Sequence, residues 1–286
     1  MTESLPRVET WNASDGYPIH VATWPTAGPA RGRVVVLHGV QSHSGWYHNL
    51  GRVLAGEGFE AHFPDRRGSG ANRVDRGHTP SDRRLLKDTA EYLARLRAQD
   101  PSSPIALAGI SWGGKLAVIT AGKRPDLVDA LALICPGLHP RVGVSRKERW
   151  QIALAYFFQP RKTFPIPLSD PALFTASHAG QEFIANDPLG LRAATARLLG
   201  ASALIDRGVQ GIRSKVHQPA LLMLAGKDRI VDNPKTLEYF NTLASDRRRA
   251  IEYPEGHHTL EFDPDPSRYA LDLAAWLGEA MKSGMA

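Results

Sequence analysis

The sequence predicts an α/β fold in which a mostly parallel β-sheet is covered by helices on both faces and interrupted once by a helical insertion. Three observations support this prediction. Short apolar runs alternate with segments of helical periodicity, which is typical of parallel sheets. A buried strand, a tight turn and a helix follow one another around Ser111. The alternation stops between residues 137 and 217, where helical patterns and a proline-rich stretch replace it.

Composition limits the classes of function that the chain can have. The 286 residues suffice for one large α/β domain with an insertion, and 42% hydrophobic and 22% charged residues are ordinary for a globular protein. The formal charge is +6, but the basic residues lie in separate segments, so we expect no nucleic-acid partner. Composition leaves the oligomeric state open, a homo-oligomer included.

The compartment is predicted from cysteine usage and from the absence of targeting patterns. Cys135 is the single cysteine, so no internal disulfide is possible and a reducing compartment is favoured. The first residues lack the pattern of a signal peptide, and no apolar run approaches the roughly 20 residues that span a bilayer. We therefore expect a cytoplasmic protein without stable membrane insertion.

Eight segments have the length and composition of strands. The first two flank the turn at residues 12–16 and predict a hairpin, whereas the later strands end at polar or glycine-containing loops. The predicted strands are Val8–Trp11, Ile19–Trp24, Arg33–Leu37, Phe59–Pro64, the apolar run after Pro104, Leu127–Cys135, Ala220–Ala225 and Ala250–Tyr253.

Helical periodicity fills the spaces between these strands and dominates the insertion. Outside the insertion, helices are predicted at Tyr47–Gly56, Ser81–Ala98, Lys115–Gly122, Pro234–Ala244 and Ser267–Ala280. Inside it, helices are predicted at Arg146–Phe158 and Leu189–Ile205, separated by Pro160–Pro171, with no clear buried strand. The expected organisation is a core of residues 1–136 and 218–286 with a helical cap, or lid, of residues 137–217.

The pentapeptide from Gly109 to Gly113, with Ser111 at its centre, predicts a nucleophile elbow. Its serine occupies a strained turn between strand and helix, where a side chain at either glycine would collide with neighbouring elements. Such a short pattern also arises by chance, but the strand before it and the helix after it favour a catalytic role. Because a serine hydroxyl is a weak nucleophile at neutral pH, a base and an oxyanion cradle are also required.

The expected partners of Ser111 follow later strands, in the chain order serine, acid, histidine. Asp228 comes after the strand at 220–225, and its alternative role is a turn or capping carboxylate, for which Asp232 is the better candidate. His257 and His258 both follow the last strand, and spacing alone does not decide between them. The histidine would accept the serine proton, while Asp228 would orient and stabilise it.

Two backbone amides are expected to form the oxyanion hole. One belongs to Trp112, directly after the nucleophile, and the other to Val40, in the loop that follows the third strand. The alternative for His38 and Gly39 in that loop is a simple turn. Because both donors are backbone groups, the side chains of Val40 and Trp112 can change with little direct effect on them.

Taken together, these motifs resemble those of the α/β-hydrolases, and within them the monoglyceride lipase and lysophospholipase branch, which is serine aminopeptidase S33-like. The resemblance implies the α/β-hydrolase fold with an eight-stranded sheet, and it favours His258 as the base, since His258 follows Tyr253 at the expected interval and precedes Thr259 and Leu260. The matching segments are residues 37–39, 42–47, 64–70, 109–114, 186–189, 224–228 and 253–260.

The implied activity is hydrolysis of carboxylic esters through an acyl-enzyme on Ser111, with monoacylglycerols, lysophospholipids or small acyl esters as substrates. A thioesterase, serine peptidase, carbon–carbon bond hydrolase or acyltransferase would use the same triad, and a non-catalytic ligand-binding role is a further alternative. No motif for a metal or an organic cofactor is visible. Six aromatic residues of the predicted cap either line an acyl pocket or pack the cap onto the core: Trp150, Phe157, Phe158, Phe164, Phe174 and Phe183.

Overall fold

A computed structural model describes residues 5–281 of the chain. Ten strands are present among these residues, of which eight form the central sheet. The strands are β1 (Arg7–Asn12), β2 (Pro18–Trp24), β3 (Gly32–Leu37), β4 (Phe59–Pro64), β5 (Ile105–Ile110), β6 (Ala130–Ile134), β7 (Thr163–Pro165), β8 (Ala193–Thr195), β9 (Ala220–Ala225) and β10 (Arg248–Tyr253).

The strand order in the central sheet is β1-β2-β4-β3-β5-β6-β9-β10. β2 pairs antiparallel with β1 and β4, and every other pair is parallel. The predicted hairpin is confirmed, with Gly16 at φ +78° in its turn. The predicted α/β-hydrolase fold with a mostly parallel eight-stranded sheet is therefore confirmed.

Eight α-helices lie among the described residues: α1 (His48–Gly56), α2 (Asp82–Gln99), α3 (Gly113–Lys123), α4 (Arg146–Phe158), α5 (His178–Asn186), α6 (Ala196–Ile212), α7 (Asn233–Asn241) and α8 (Pro266–Ala280). No helix in residues 5–281 is long and apolar enough to cross a membrane.

The middle of the central sheet is buried on both faces because β3, β5, β6 and β9 are apolar at nearly every position. In β3, Val35 and Leu37 point into a core formed with α2 and α3, while Val34 and Val36 point into a second core formed with α1 and α8. Successive side chains of a strand face opposite sides, so a continuous apolar run is what a two-sided sheet requires. This layering places the carboxyl ends of β3, β5, β6, β9 and β10 along one edge.

Residues 137–217, which we call the insert, differ from the prediction in three respects. The helix predicted at Leu189–Ile205 begins at Ala196, because the preceding residues form β8 and the Thr195 side chain accepts the amide hydrogen of Leu198. It then continues to Ile212. Two short strands, β7 and β8, also pair with each other where the sequence shows no clear buried strand, and α5 was not predicted.

Two strand boundaries in the central sheet also differ from the prediction by two residues or more. β6 begins at Ala130 and not at Leu127, because Leu127 belongs to the turn that precedes it. β10 begins at Arg248, two residues earlier than expected, although its first residues are exposed and basic. Pairing with β9 extends along the whole of β10, so backbone hydrogen bonding outweighs the polar composition of its start.

Candidate active site

Ser111 occupies a strained turn between β5 and α3. Its φ is +52°, in the left-handed region that residues with side chains rarely adopt. A Cβ on Gly109 would lie 2.6 Å from the Cα of Gly114, and one on Gly113 would lie 2.1 Å from the carbonyl oxygen of Leu37. Both glycines are therefore required by close backbone approach, as the sequence predicts.

Three side chains from three loops form one hydrogen-bonded chain at this edge of the sheet. The Oγ of Ser111 is 2.9 Å from Nε2 of His258, and Nδ1 of His258 is 2.8 Å from Oδ2 of Asp228. The other oxygen of Asp228 accepts the amide hydrogens of Ile230 and Val231 at 2.8 and 2.9 Å. The carboxylate can only accept, so Nδ1 of His258 carries the hydrogen and Nε2 is free to accept the serine proton.

The neighbouring histidine lies outside this chain. The backbone amide of His257 donates to Oδ2 of Asp263 at 3.1 Å, and its Nδ1 lies 3.3 Å from Oδ1 of the same carboxylate. The structure thus brings His258, and not His257, to Ser111. Asp232 has the capping role expected for it, accepting the amide hydrogen of Lys235 at the start of α7.

The loop that carries His258 is tied to the first helix of the fold through Glu261. The Glu261 carboxyl accepts the amide hydrogens of Asn49 and Leu50 at the N-terminus of α1 at 2.6 and 3.3 Å, and the hydroxyl of Tyr269 also donates to it. Burial raises the pKa of Glu261 to about 7, although these hydrogen bonds act in the opposite direction. The tether limits the positions that the imidazole of His258 can adopt.

The two amides predicted for the oxyanion hole lie beside Ser111. A Cβ on Gly39, the residue before Val40, would lie 3.4 Å from Cβ of Ser111, so this loop touches the nucleophile. Among residues 5–281, neither the amide of Val40 nor that of Trp112 has a hydrogen-bond partner. Both amides are therefore available to an oxygen atom bound at Ser111.

The loop is held in this orientation by two side chains whose role the sequence did not reveal. The carbonyl oxygen of Gly39 accepts hydrogen bonds from Nη1 of Arg66 at 3.1 Å and from Nδ1 of His38 at 2.7 Å. Nη2 of Arg66 donates to the carbonyl oxygen of Val40 at 3.0 Å. In a trans peptide the carbonyl and the next amide point in opposite directions, so fixing the Gly39 carbonyl aims the Val40 amide away from Arg66.

The ionisation of these two groups suits this role. Burial, with the nearby charge of Arg66, holds the pKa of His38 well below its usual range, so the imidazole is neutral at pH 7. Its Nε2 accepts the amide hydrogen of Arg66 at 2.8 Å, which leaves Nδ1 as the donor. Burial also lowers the pKa of Arg66 to about 10, although the Asp65 carboxylate opposes this, and the guanidinium stays charged.

Two cavities of different size meet at Ser111. The wider one has a volume of about 610 Å³ and is lined by Ser111, by Val40 and Trp112, and by aliphatic side chains of the insert. The narrower one has a volume of about 10 Å³ and is lined by Ser111, His258 and residues of the loop after β3. The aliphatic lining of the wider cavity includes Ile152, Ile166, Leu168, Leu198 and Leu199.

The aromatic residues predicted to line an acyl pocket are mostly elsewhere. Of the six, only Phe174 lines a cavity that includes Ser111. Trp150, Phe157 and Phe158 are at least 75% exposed, because α4 turns that face to solvent and its opposite face, with Ile152, to the cavity. Neither predicted role holds for these three. Phe183 is 42% exposed, and Phe164 packs in a small cluster with Ile152 and Ala155.

The insert is joined to the loop after β3 through Asp187. Its Oδ2 accepts the indole N–H of Trp46 at 2.7 Å and lies 3.1 Å from Nε2 of His43. Burial alone would raise the pKa of Asp187, but these hydrogen bonds outweigh it and hold the pKa at about 2. At neutral pH the charged carboxylate therefore links the insert to this loop, residues 38–47, which we call the oxyanion loop because it carries the amide of Val40.

The geometry of this site suits a nucleophile, a base and a pair of anion-binding amides. Within the described part of the chain, no group of three or more His, Cys, Asp or Glu side chains is arranged to hold a metal ion. The hydrogen-bonded chain can remove a proton from Ser111, and the two amides can stabilise an oxyanion formed next to it.

Comparison with known proteins gives a consistent result. A family model described as serine aminopeptidase, S33, matches residues 28–265. Human monoglyceride lipase is 25% identical over 255 residues, which cover 86% of this chain and 82% of that one. The monoacylglycerol lipase of Mycolicibacterium smegmatis is 23% identical and covers 97% of this chain and 99% of its own.

A solved structure shows the same architecture. A soluble variant of monoglyceride lipase from Saccharomyces cerevisiae, in complex with a substrate analog, superposes with a TM-score of 0.85 at 19% identity. The match covers 98% of this chain and 97% of that one.

Proposed function

The chain belongs to the serine aminopeptidase S33 family, in the monoglyceride lipase branch of the α/β-hydrolases, and we propose that it hydrolyses carboxylic esters through an acyl-enzyme on Ser111. The observation that carries this proposal is the hydrogen-bonded chain from Ser111 through His258 to Asp228, next to two unpartnered amides. The names of the relatives support an ester as the bond that is cleaved.

In the acylation step, Oγ of Ser111 attacks the ester carbonyl carbon and its proton passes to Nε2 of His258. The negative charge that develops on the carbonyl oxygen is stabilised by the amides of Val40 and Trp112, and losing one such donor typically costs about 3 kcal/mol. His258 then gives the proton to the departing alcohol oxygen. Asp228 stabilises the imidazolium that exists between these two transfers.

In the deacylation step, the same groups act in the reverse order. Water attacks the carbonyl carbon of the acyl-Ser111 ester and gives one proton to His258. The intermediate collapses, the bond to Oγ of Ser111 breaks, and Oγ takes that proton from His258. The products are a carboxylic acid and the original enzyme.

We assign the acyl chain to the wider cavity and only the ester oxygen that leaves with the alcohol to the narrower one. The wider cavity is aliphatic and contains both amide donors, and its volume of about 610 Å³ suits a fatty acyl chain. The narrower cavity includes His258, which must reach the alcohol oxygen. In this proposal residues 137–217 act as a cap over a core of residues 1–136 and 218–286, and monoacylglycerols, lysophospholipids and smaller acyl esters are the substrate candidates.

The alternative reactions share the triad and differ in the leaving group or, for an acyltransferase, in the acceptor that takes the place of water. A thioesterase, a peptidase, a carbon–carbon bond hydrolase and an acyltransferase remain alternatives, as does a ligand-binding protein without catalysis. The complete hydrogen-bonded chain favours catalysis over binding alone, because a binding protein needs no base next to its serine. A cytoplasmic location stays a prediction.

The proposal is tested by replacing the nucleophile. We expect Ser111→Ala to lower the kcat for p-nitrophenyl butyrate by on the order of 10⁶-fold, the loss typical of removing a triad nucleophile. We also expect it to abolish covalent labelling by a fluorophosphonate. The matched control is Ser102→Ala, an exposed serine at the opposite end of β5 from Ser111, which should keep both activity and labelling.

Two outcomes contradict the proposal. Full turnover by Ser111→Ala would exclude Ser111 as the nucleophile. Faster turnover of a thioester or an amide than of the ester with the same acyl group would replace the ester hydrolase with one of the alternatives. A panel of the three substrates, measured by kcat/KM, separates these cases.

A further inference from the structure

Gln41 carries a buried polar group that the fold does not use. Its side chain is 2% exposed, and neither Oε1 nor Nε2 of its carboxamide has a hydrogen-bond partner among residues 5–281. The backbone carbonyl oxygen of the same residue is satisfied, since it accepts the amide hydrogen of Leu191 at 2.9 Å.

A buried carboxamide without partners destabilises a fold. Leaving a buried donor or acceptor unpaired is unfavourable, whereas an apolar side chain of the same size at that position would be neutral or stabilising. Residues that break such a local rule are expected at functional sites. The position of Gln41 shows which function it can serve.

Gln41 lines the narrow cavity together with Ser111 and His258. The other polar side chains from this loop are satisfied within the protein. The hydroxyl groups of Ser42 and Tyr47 are 2.9 Å apart and bind each other, and the indole of Trp46 donates to Asp187. Among the residues that line this cavity, Gln41 is the one whose buried side-chain donor and acceptor have no partner within residues 5–281.

The size and location of the narrow cavity indicate what it holds during the reaction. A volume of about 10 Å³ accommodates a group about as large as one water molecule. Because the cavity includes His258 and the wider one does not, it lies on the side of Ser111 where a proton moves to or from an oxygen atom. Under the proposed function, that oxygen belongs to the attacking water in deacylation.

We infer that Gln41 is the water-positioning residue for deacylation, an inference that rests on the proposed function. The Oε1 atom of Gln41 accepts one O–H of the water, and Nε2 of His258 accepts the other. The lone pair of the water forms the bond to the acyl carbon, and the carbonyl electrons move to the oxygen facing Val40 and Trp112. One proton passes to His258, and the collapse of the intermediate returns it to Ser111, as described above.

The inference predicts different effects of a Gln41 substitution on acylation and on deacylation. Acylation uses no water, so a variant that cannot bind water should acylate normally and deacylate slowly. Gln41→Met has nearly the same volume and no hydrogen-bonding amide. With p-nitrophenyl butyrate in stopped flow, we expect its burst rate to stay within about 2-fold of the wild type while its steady-state rate falls about 10- to 100-fold. Mass spectrometry during turnover should then find the butyryl group on the peptide that contains Ser111.

The matched control is Gln218→Met, which changes another buried glutamine. Gln218 also has an unpartnered Oε1, but its Nε2 donates to the carbonyl oxygen of Ala121 at the far end of α3, away from Ser111. We expect its burst and steady-state rates to match the wild type. Thermal melting separates folding from function, since Gln41→Met should melt at or above the wild-type temperature. If it fails to fold, Gln41→Leu replaces it.

Each result of these measurements either supports or contradicts the role of Gln41 in deacylation. Equal burst and steady-state rates in Gln41→Met and the wild type would overturn the inference and leave the role of Ser111 intact. A burst that slows as much as the steady state would overturn it too, because Gln41 would then act on acylation or on the whole site. Failure of the proposed function gives a different result from failure of this inference, because the wild type itself would then form no acyl-Ser111.

Discussion

The two long helices of the insert have opposite surroundings, although both carry apolar residues at helical intervals. α6 packs onto the elbow helix: Ile205 and Val209 are 1% exposed, and Ser202 accepts the indole N–H of Trp112 at 2.8 Å. α4 has its largest apolar residues outside, with Trp150 80% and Phe157 75% exposed. Hydrophobic periodicity therefore identifies a helix but does not show which of its faces is buried.

The polar contacts explain why α6 is the inner helix. Asp206 forms an ion pair with Lys115, whose side chain lies one helical turn after the nucleophile and is 6% exposed. This pair and the hydrogen bond from Trp112 to Ser202 fix α6 directly against the site. Within the described residues, α4 buries only Ile152 and Ala155 in its length. We therefore expect substitutions near α6 and the elbow to affect catalysis, and those on the outer face of α4 to have little effect.

The largest expected effect is that of the base next to the nucleophile. We predict that His258→Ala lowers kcat by on the order of 10⁵-fold or more, because within residues 5–281 His258 is the hydrogen-bond partner of the Ser111 hydroxyl and, in the proposed function, its base. His257→Ala should change kcat by less than about 3-fold, since His257 contacts only Asp263 in the site loop. Steady-state kinetics with p-nitrophenyl butyrate measures both. The reverse ranking would mean that the loop rearranges before catalysis.

A smaller effect is expected from the arginine that orients the oxyanion loop. Arg66→Met removes the hydrogen bonds to the carbonyl oxygens of Gly39 and Val40, so the Val40 amide loses its fixed direction. We predict a fall in kcat of about 10- to 100-fold with KM changed less than 3-fold, because the lost interaction is made mainly in the transition state. Arg66→Lys should restore only part of the rate, since an ammonium does not reproduce the fork of a guanidinium.

The neighbouring arginine is the matched control for this prediction. Arg67 is also buried, but among residues 5–281 its side-chain hydrogen bonds go to Asp88, at 2.8 Å, and to Asp15, and none goes to the oxyanion loop. Arg67→Met should therefore lower the free energy of unfolding and leave the kcat of the folded enzyme close to that of the wild type. Equal losses of kcat in Arg66→Met and Arg67→Met would indicate a general loss of packing, and the orienting role of Arg66 would be wrong.

The parts of this molecule that the sequence predicted are those fixed by local geometry. The glycines around Ser111 follow from backbone contacts that a Cβ would violate, and the loops of Asp228 and His258 meet because parallel strands present their carboxyl ends at one edge. The inner strands β3, β5, β6 and β9 are recognisable because each is apolar at nearly every position, whereas β1, β2, β4 and β10 also carry polar or charged residues. These features depend on near neighbours in the chain or on one rule of sheet topology.

The features that were missed depend on contacts between distant segments. Arg66 lies more than 25 residues from the loop that it orients, and nothing in its motif shows which carbonyls it binds. The start of α6 is set by β8, which pairs with β7 about thirty residues earlier. Gln41 was missed because an unpartnered carboxamide is a property of the packed interior. A glutamine beside a predicted oxyanion residue was the only sequence signal for it.

We expect the smallest effect from a substitution on the outer face of α4. Comparing the two faces of this helix tests the contrast between α4 and α6 directly. Phe157→Ser replaces a side chain that is 75% exposed, so we predict a change in the free energy of unfolding below about 0.5 kcal/mol and in kcat/KM for p-nitrophenyl butyrate below about 2-fold. Ile152→Ala, one and a half turns away on the same helix, removes a side chain that is 7% exposed and lines the wider cavity. It should cost about 2 kcal/mol or more in chemical denaturation and shift the preferred acyl length upward, because it enlarges the cavity. Equal effects of the two substitutions would show that the outer face of α4 is buried in solution, which would remove the contrast with α6.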